Sequence, residues 1–255
     1  LAKLFVLKTG KTTEPRQSMD ESELELVRTA MFASEPIPFD PMEIALHETY
    51  TTSVQSDERP DYSLMHEYPL SGKPPMMTHF FETKDGKRIV AAKGAPEAIM
   101  NVSILNDVEK NLINEAIKSL AKVGYRLLGV AETEFSGSSF PETQQELKFK
   151  FKGIVAFYDP PKSNIESVLK KFYSAGIEVK IITGDNADTT FAIAKQINFN
   201  GYENAMSGEE LVGLSDDELQ KKVSVTSIFT RMFPEAKLKV INALKANNQI
   251  VAMTG

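Results

Sequence analysis

Three short apolar runs in this 255-residue chain end in a threonine–glycine step. The steps are Thr9-Gly10, Thr183-Gly184 and Thr254-Gly255. A hydroxyl group, a glycine and free backbone N–H groups at the carboxyl end of a strand form an anion site in open α/β sheets. We therefore expect three such tips in one sheet to line a phosphate pocket.

Two lysines lie at positions from which their ammonium groups could contact a bound phosphate. Lys93 is followed by Gly94 at the end of an apolar run, and a glycine there lets a flat ligand approach the backbone. Lys237 falls in the first turn of a helix opened by Pro234, where the helix dipole disfavours a cation unless an anion lies between. Taken singly, each lysine is also typical of an ordinary turn or surface position.

Two aspartates follow predicted strands. Thr183-Gly184-Asp185 closes one strand and opens a helix, so a phosphate there would meet a hydroxyl group, a backbone and a helix dipole. A helix cap supplied by Asp185 or Asn186 explains the same residues equally well. Asp159 precedes two prolines, and its spacing alone favours a rigid connection over a functional role.

The apolar pattern divides the chain into two parts. From about residue 150 it alternates strand and helix, which predicts a parallel, doubly covered sheet with strands at 153–157, 179–182, 227–229 and 250–253. Residues 14–148 carry many prolines, two amphipathic helices and a hairpin signal at Asp85-Gly86, an α+β pattern. We predict an inserted domain over 14–148, with 1–13 and 149–255 forming one discontinuous domain.

Composition excludes several classes of protein. The chain has 29 Lys and Arg against 35 Asp and Glu, and this net charge of -6 argues against a nucleic-acid partner. It has no cysteine for disulfides, and its three histidines show no metal-ligand spacing and are expected at surface or loop positions. No apolar stretch approaches the roughly 18 to 20 residues of a membrane-spanning helix, and no signal peptide is evident. We expect a soluble piece whose two ends look like cuts in something longer.

Together these segments resemble, over essentially the whole chain, the cytoplasmic headpiece of a P-type cation-transporting ATPase. The resemblance implies a haloacid-dehalogenase-like phosphorylation domain with a Rossmann-like parallel sheet, interrupted by an α+β nucleotide-binding domain. It implies that the phosphorylated aspartate immediately precedes Lys8 and Thr9, with Mg²⁺ near the Thr9 carbonyl. It further implies that Thr183, Gly184 and Asp185 hold the transferred phosphoryl group and that Lys237 neutralises it. The implied nucleotide contacts are Glu43, Lys93, Gly94, Arg126, Asp159 and Arg231.

The sequence departs from the family pattern at three places. Leu7 rather than an aspartate precedes Lys8, and the family's metal-binding aspartate loop beyond the last threonine–glycine step is absent. Either the sequence as given omits a modified aspartate and loop residues, or the protein has lost catalysis; we favour the first because the remaining pocket residues are intact. Leu70 stands where relatives place an aromatic that stacks on adenine, so stacking would be weaker there or would be supplied by Tyr68 or Phe80.

The resemblance therefore predicts a Mg²⁺- and ATP-dependent cation pump, at the cytoplasmic face of a membrane. Its partners would be ATP and the transmembrane and actuator domains of the same protein, without nucleic acid or a stable oligomer. The motifs are closer to pumps of calcium, sodium, potassium or protons than to heavy-metal pumps. Two other classes remain open: a soluble haloacid-dehalogenase-like phosphatase and a catalytically silent nucleotide-binding module.

Overall fold

The computed structural model describes residues 1–16, 18–137 and 139–254. These residues divide into two compact units. Unit 1 comprises Leu1–Leu120 and Tyr125–Tyr158, and unit 2 comprises Ala121–Gly124 and the chain from Asp159 onward. The boundary after Tyr158 lies about ten residues beyond the one expected at residue 149.

Unit 1 is built on a seven-stranded sheet in the order β2-β1-β7-β6-β5-β4-β3. Every ladder of this sheet is antiparallel. Its strands are β1 (Lys3–Val6), β2 (Lys11–Thr13), β3 (Tyr62–Ser71), β4 (Met76–Thr83), β5 (Arg88–Gly94), β6 (Arg126–Thr133) and β7 (Lys150–Phe157). The predicted hairpin is confirmed: Gly86, with a φ of +83°, lies in the turn between β4 and β5.

Helices cover this sheet. They are α1 (Glu21–Phe32), α2 (Pro41–Ser53), α3 (Pro96–Val102) and α4 (Asp107–Ala121), and the predicted amphipathic helices are α1 and α4. The side chain of Asp20 accepts hydrogen bonds from two backbone N–H groups of the first turn of α1, and Asp40 caps α2 just before Pro41. One buried cluster joins α1 and α2 to β1, β5, β6 and β7, through residues such as Leu26, Leu46 and Val155.

The first strand is not part of a parallel sheet, and this prediction was wrong. β1 pairs with β7 in antiparallel register, Phe5 opposite Ile154, and its other edge pairs with β2 through a turn at Leu7–Gly10. Residues 153–157 likewise lie in the antiparallel sheet, as part of β7. The reason is that a strand covered on both faces is almost continuously apolar, so its pattern does not report the direction of its neighbours.

Unit 2 holds a small parallel sheet. Its strands are β8 (Ile181–Ile182), β9 (Ala205–Ser207) and β10 (Ile228–Thr230), with β10 in the centre and parallel to both neighbours. The helices are α5 (Ile165–Ser174), α6 (Ala187–Gln196), α7 (Gly208–Val212), α8 (Asp216–Val225) and α9 (Pro234–Ala246). The predicted alternation of strand and helix is confirmed here, over fewer strands than expected.

The expected fourth strand of this sheet, at 250–253, does not form. Residues 250–254 have no regular secondary structure, Ile250 is fully exposed, and only Val251 packs against a buried cluster of the unit. Thr254 is exposed, and Gly255, the last member of the third threonine–glycine step, lies outside the described residues. The predicted pocket of three equivalent strand tips is therefore wrong.

Two further expectations concern histidines and membranes. His47 and His79 are buried, in contrast to their expected surface or loop positions, because α2 and β4 carry them into the interior of unit 1. Among the described residues, no helix combines the length and the apolar character needed to cross a bilayer.

Candidate functional site

A buried ion pair joins β5 to the first turn of α2. The Lys93 ammonium donates to the Glu43 carboxylate at 2.5 Å and to the Ser34 hydroxyl at 2.6 Å. The two charged side chains are only 6% and 10% exposed. Asp40 caps the helix that presents Glu43, and the antiparallel sheet fixes Lys93 opposite Val130 of β6. The sequence thus places a lysine and a carboxylate, 50 positions apart, in direct contact.

Burial dominates the electrostatics of this pair. Removal from water lowers the pKa of Lys93, and the Glu43 carboxylate opposes that shift. A buried ion pair contributes little net stability, because desolvation of the two charges offsets their attraction. The pair is therefore poorly explained by stability alone, and buried ionisable groups of this kind concentrate at functional sites.

A cleft of about 410 Å³ lies beside this pair within unit 1. Ser34, which binds Lys93, is part of its wall. The aromatic rings of Phe32, Tyr62 and Phe81 also line it, in edge-to-face contact at 5.2 Å between centroids. An apolar, aromatic cleft with a few convergent polar groups is typical of a small-molecule site.

The polar side of the cleft contains His47 and Arg59. The Arg59 guanidinium contacts His47 Nδ1 at 3.0 Å and forms an ion pair with Asp57 at 2.6 Å. Burial first, and then the charge of Arg59, lower the pKa of His47. A neutral imidazole and a guanidinium that keeps its charge therefore face this side of the cleft.

Two more of the predicted nucleotide contacts lie at the same end of the sheet. Gly94 pairs with Gly129 of β6, and Arg126 lies three residues from Gly129, about 10 Å along the strand. Strand alternation puts Arg126 on the same sheet face as Lys93. Gly94 itself is required by packing, since an added Cβ would approach the Met76 Cα and the Pro75 carbonyl oxygen to 2.5 Å.

The expected adenine-stacking residues lie on the wrong face. Phe80 pairs with Val90, whereas Lys93 pairs with Met77, so the alternation of the strand points Phe80 and Lys93 in opposite directions. Tyr68 packs edge-on against Phe80, in an aromatic cluster with His66, Phe135 and Phe140. The rings available at the cleft are those of Phe32, Tyr62 and Phe81, which sequence analysis did not identify.

In unit 2 the Thr183–Asp185 loop lies at the carboxyl end of the parallel sheet. The Thr183 hydroxyl donates to the Asp185 carboxylate and accepts from the Asp185 N–H, both at 3.1 Å. Asn186 caps α6, its side chain accepting from the Thr189 N–H at 2.9 Å. Gly184 is exposed, and an added Cβ would meet only the Met232 carbonyl oxygen, at 3.7 Å. The helix N-terminus behind the loop leaves a region of positive potential.

The β10–α9 connection is tied to this loop. The Arg231 N–H donates to the Asp185 carbonyl at 3.0 Å, and the Met232 N–H donates to the Thr183 carbonyl at 2.9 Å. Arg231 has a φ of +50°, a strained value for a residue with a Cβ and one that recurs at functional sites. Lys237 is half-buried in α9, and its ammonium has no hydrogen-bonding or ion-pair partner within the described ranges.

Lys8, Thr9 and Asp159 are the remaining predicted site residues. Lys8 and Thr9 are exposed in the β1–β2 turn, where Gly10 has a φ of +65°, so they do not end a parallel strand. They belong to unit 1, whereas Thr183 and Lys237 belong to unit 2. Asp159 is exposed in the connection after β7.

Unit 1 also contains a larger groove, of about 860 Å³, on which Lys8 does lie. Its basic residues include Lys150 and Lys152, and Glu21, Glu25 and Glu109 are among its acidic ones. Lys152 is already paired with Glu25 at 2.5 Å and with Glu132. The mixed charge and the internal pairing of this groove make it a weaker anion site than its lysines suggest.

The fold and the site define an α/β protein with a nucleotide-sized cleft beside a buried lysine–carboxylate pair. A family model described as P-type ATPase, cytoplasmic domain N, matches residues 39–164, the segment that carries Glu43, Lys93 and Arg126. The chain belongs to the P-type ATPases.

Curated relatives extend this result over most of the chain. The chain is 31% identical over 268 residues to "Calcium-transporting ATPase 1" of Saccharomyces cerevisiae, a match that covers 98% of this chain and 28% of the relative. It is 31% identical to "Calcium-transporting ATPase 1" of Bacillus cereus, over 90% of this chain and 27% of the relative. It is 32% identical to "Calcium-transporting ATPase type 2C member 2" of Homo sapiens, over 78% of this chain and 22% of the relative. The chain thus spans about a quarter of the length of these relatives.

Proposed function

We propose that unit 1 binds ATP in the cleft beside Lys93 and Glu43. The observation that carries this proposal is the buried ion pair, which is costly to desolvate and whose partner Ser34 lines an aromatic cleft of suitable size. A carboxylate such as Glu43 accepts hydrogen bonds from an exocyclic amino group, and a ring can stack on Phe32, Tyr62 or Phe81. Arg126 and Lys93 would meet the phosphates or the ribose from the end of the sheet.

We propose further that unit 2 is the phosphorylation domain of a haloacid-dehalogenase-like fold. The Thr183–Asp185 loop would hold the transferred phosphoryl group, with Lys237 offsetting its charge and Arg231 and Asp159 contacting the nucleotide. Support comes from the helix N-terminus at Asn186 and from the Lys237 ammonium, which has no partner in the part of the chain that the structure describes. Fixed positive groups at developing phosphoryl charge are the usual means of accelerating phosphoryl transfer.

The turn that contains Thr9 is a poor match for the Mg²⁺ site expected at the Thr9 carbonyl. Mg²⁺ favours octahedral oxygen ligands that include one or two carboxylates. The residues from Leu7 to Thr13 include no carboxylate, and the turn that holds Thr9 lies in the antiparallel unit. These residues do not fit a Mg²⁺ site, so we propose that Mg²⁺ enters with the phosphates of ATP instead. The roles of Lys8 and Thr9 beside a nucleophile stay predictions.

The curated relatives are named as calcium- or cation-transporting ATPases. We therefore propose that the whole protein couples ATP hydrolysis to cation transport across a membrane. Its transmembrane and actuator domains would belong to the same polypeptide, and the two units would lie at the cytoplasmic face.

Isothermal titration with ATP tests the binding proposal. We expect Arg126→Gln and Lys93→Gln to weaken ATP binding by about tenfold or more, that is by about 1.4 kcal/mol or more. Lys84→Gln, which removes a charge from the exposed β4–β5 turn, is the matched control and should bind as the unaltered chain does. Unchanged affinity in folded Arg126 and Lys93 variants would contradict the proposal.

A second experiment separates the pump from its rivals. We expect γ-labelled ATP to leave an acid-stable, hydroxylamine-labile label on the full-length protein. A protein that binds ATP without acquiring this label would be a silent nucleotide-binding module. A protein that hydrolyses phosphate esters without binding ATP would be a phosphatase.

A further inference from the structure

A second cluster of polar side chains lies on the Lys93 face of the unit 1 sheet. One ligand atom each from Glu35, Glu67 and His79 lies within 4.8 Å of the other two. Glu67 and His79 are direct cross-strand partners on β3 and β4, and Glu35 follows α1. Three segments that are distant in sequence therefore bring two carboxylates and one imidazole together.

The histidine of this cluster is held in one tautomer. His79 is fully buried, and its Nδ1 lies 3.0 Å from the Ser34 carbonyl oxygen. A carbonyl oxygen can only accept, so Nδ1 carries the hydrogen and Nε2 carries the lone pair. Nε2 has no hydrogen-bonding partner in the described part of the chain. A buried acceptor without a partner costs free energy, unless a ligand satisfies it.

This arrangement is the one that metal-binding histidines use. Such a histidine commonly donates its second ring N–H to a backbone carbonyl, which fixes the orientation of the ring toward the metal. The hydrogen bond from Nδ1–H to the Ser34 carbonyl leaves the Nε2 lone pair of His79 available to coordinate a metal ion. The nearby ammonium of Lys93 is already paired with Glu43. The two carboxylates of the cluster therefore keep a net negative charge that a cation can balance.

We propose that Glu35, Glu67 and His79 form a site for a divalent transition-metal ion, with Zn²⁺ as the best match. One imidazole and two carboxylates suit Zn²⁺, with water as the fourth ligand, whereas Mg²⁺ and Ca²⁺ select oxygen ligands alone. Ligands at about 2.0 Å in a tetrahedron lie about 3.3 Å apart, so ligand atoms within 4.8 Å of one another need to approach by no more than about 1.5 Å. Glu35 is half-buried and Glu67 is exposed, which leaves both side chains room to move.

Zn²⁺ titration of the unaltered chain, without nucleotide, tests this site. We expect one equivalent to bind and to raise the melting temperature, because Zn²⁺ ties the end of α1 to β3 and β4. Glu67→Gln changes an exposed side chain and keeps its shape, and it should weaken Zn²⁺ binding by more than about tenfold. His79→Gln should abolish binding. Co²⁺ in place of Zn²⁺ should give the visible absorption of a tetrahedral site.

His66→Gln is the matched control. His66 also has a ring nitrogen without a partner among the described residues, but it stacks on Phe140 at 4.3 Å between centroids, on the opposite sheet face. We expect this variant to bind Zn²⁺ as the unaltered chain does. The absence of Zn²⁺ binding, or binding that Glu67→Gln and a folded His79→Gln leave unchanged, would overturn the proposal. Because nucleotide is absent, this result is independent of the ATP site.

Discussion

At the scale of single residues, the Lys93–Glu43 pair shows what a local motif can and cannot reveal. Both residues were predicted as ligand contacts, and they lie in direct contact beside a cleft. Their partner Ser34 was not predicted, because it lies 59 positions from Lys93 and reaches it only through the packing of α1 on the sheet. The same holds for His79, whose bond to Ser34 spans 45 positions. No short-range pattern encodes such contacts.

The buried pair makes a first prediction about stability. Lys93→Met leaves the Glu43 carboxylate buried without its counter-ion, and we expect this to cost about 3–5 kcal/mol. The double variant Lys93→Met/Glu43→Leu removes both charges and should recover most of that loss. Urea denaturation of the two single variants and the double variant measures the difference. Additive losses would mean that the two charges do not interact.

Tyr50 makes a second prediction, which concerns pH. Tyr50 is 1% exposed and donates to Glu58 at 3.1 Å, and burial, aided by the charge of Glu58, raises its pKa from 10.0 to about 12. Its contribution to stability is therefore fully present below pH 10 and is lost as the pH rises through about 12. The free energy of unfolding of the unaltered chain should approach that of Tyr50→Phe over this interval. A constant difference between the two proteins would contradict the assignment.

At the scale of elements, periodicity predicted several of the helices but gave the wrong direction for the neighbours of two strands. The helices α1, α4, α5, α6 and α9 follow from apolar spacing and from proline at the first turn. The strands β1 and β7 were placed in a parallel sheet because each is nearly continuous in apolar residues. Both lie inside the antiparallel sheet, covered on two faces. The apolar pattern of β1 and β7 does not specify the direction of the neighbouring strands, which is set by strand pairing in the folded chain.

The β1–β7 ladder makes a third prediction, through Gly153. An added Cβ at Gly153 would lie 2.1 Å from the Phe5 carbonyl oxygen and 2.9 Å from a methyl group of Leu26, so β1 would have to move. We expect Gly153→Ala to lower the free energy of unfolding by roughly 2 kcal/mol or more. The β1 amides should also exchange their hydrogens faster.

Gly10 provides the comparison for this variant. Gly10 has a φ of +65°, and an added Cβ there would meet nothing within 4 Å. Gly10→Ala should therefore cost only the strain of a left-handed backbone, about 1 kcal/mol. Equal losses for the two variants would argue against the close approach of β1 and β7.

For the chain as a whole, the sequence predicted the mix of helices and strands in both units but not the strand direction in unit 1. The α+β character of most of unit 1 and the strand–helix alternation of unit 2 were both expected, and the domain N model matches residues 39–164. The threonine–glycine steps were misleading as a set. Thr9 lies in a hairpin turn of unit 1, and only Thr183 ends a parallel strand. A threonine–glycine pair occurs in different backbone conformations, because its conformation depends on the strands around it.

In this account ATP occupies the cleft beside Lys93 rather than the larger groove of unit 1. Amide chemical shifts of the isotope-labelled chain, recorded during titration with ATP, test this most directly. We expect the largest changes at Ser34, Glu43, Lys93 and Arg126, with the aromatic residues of the cleft moving alongside. Changes centred on Lys8, Lys150 and Lys152, or no saturable change at any residue, would contradict the claim.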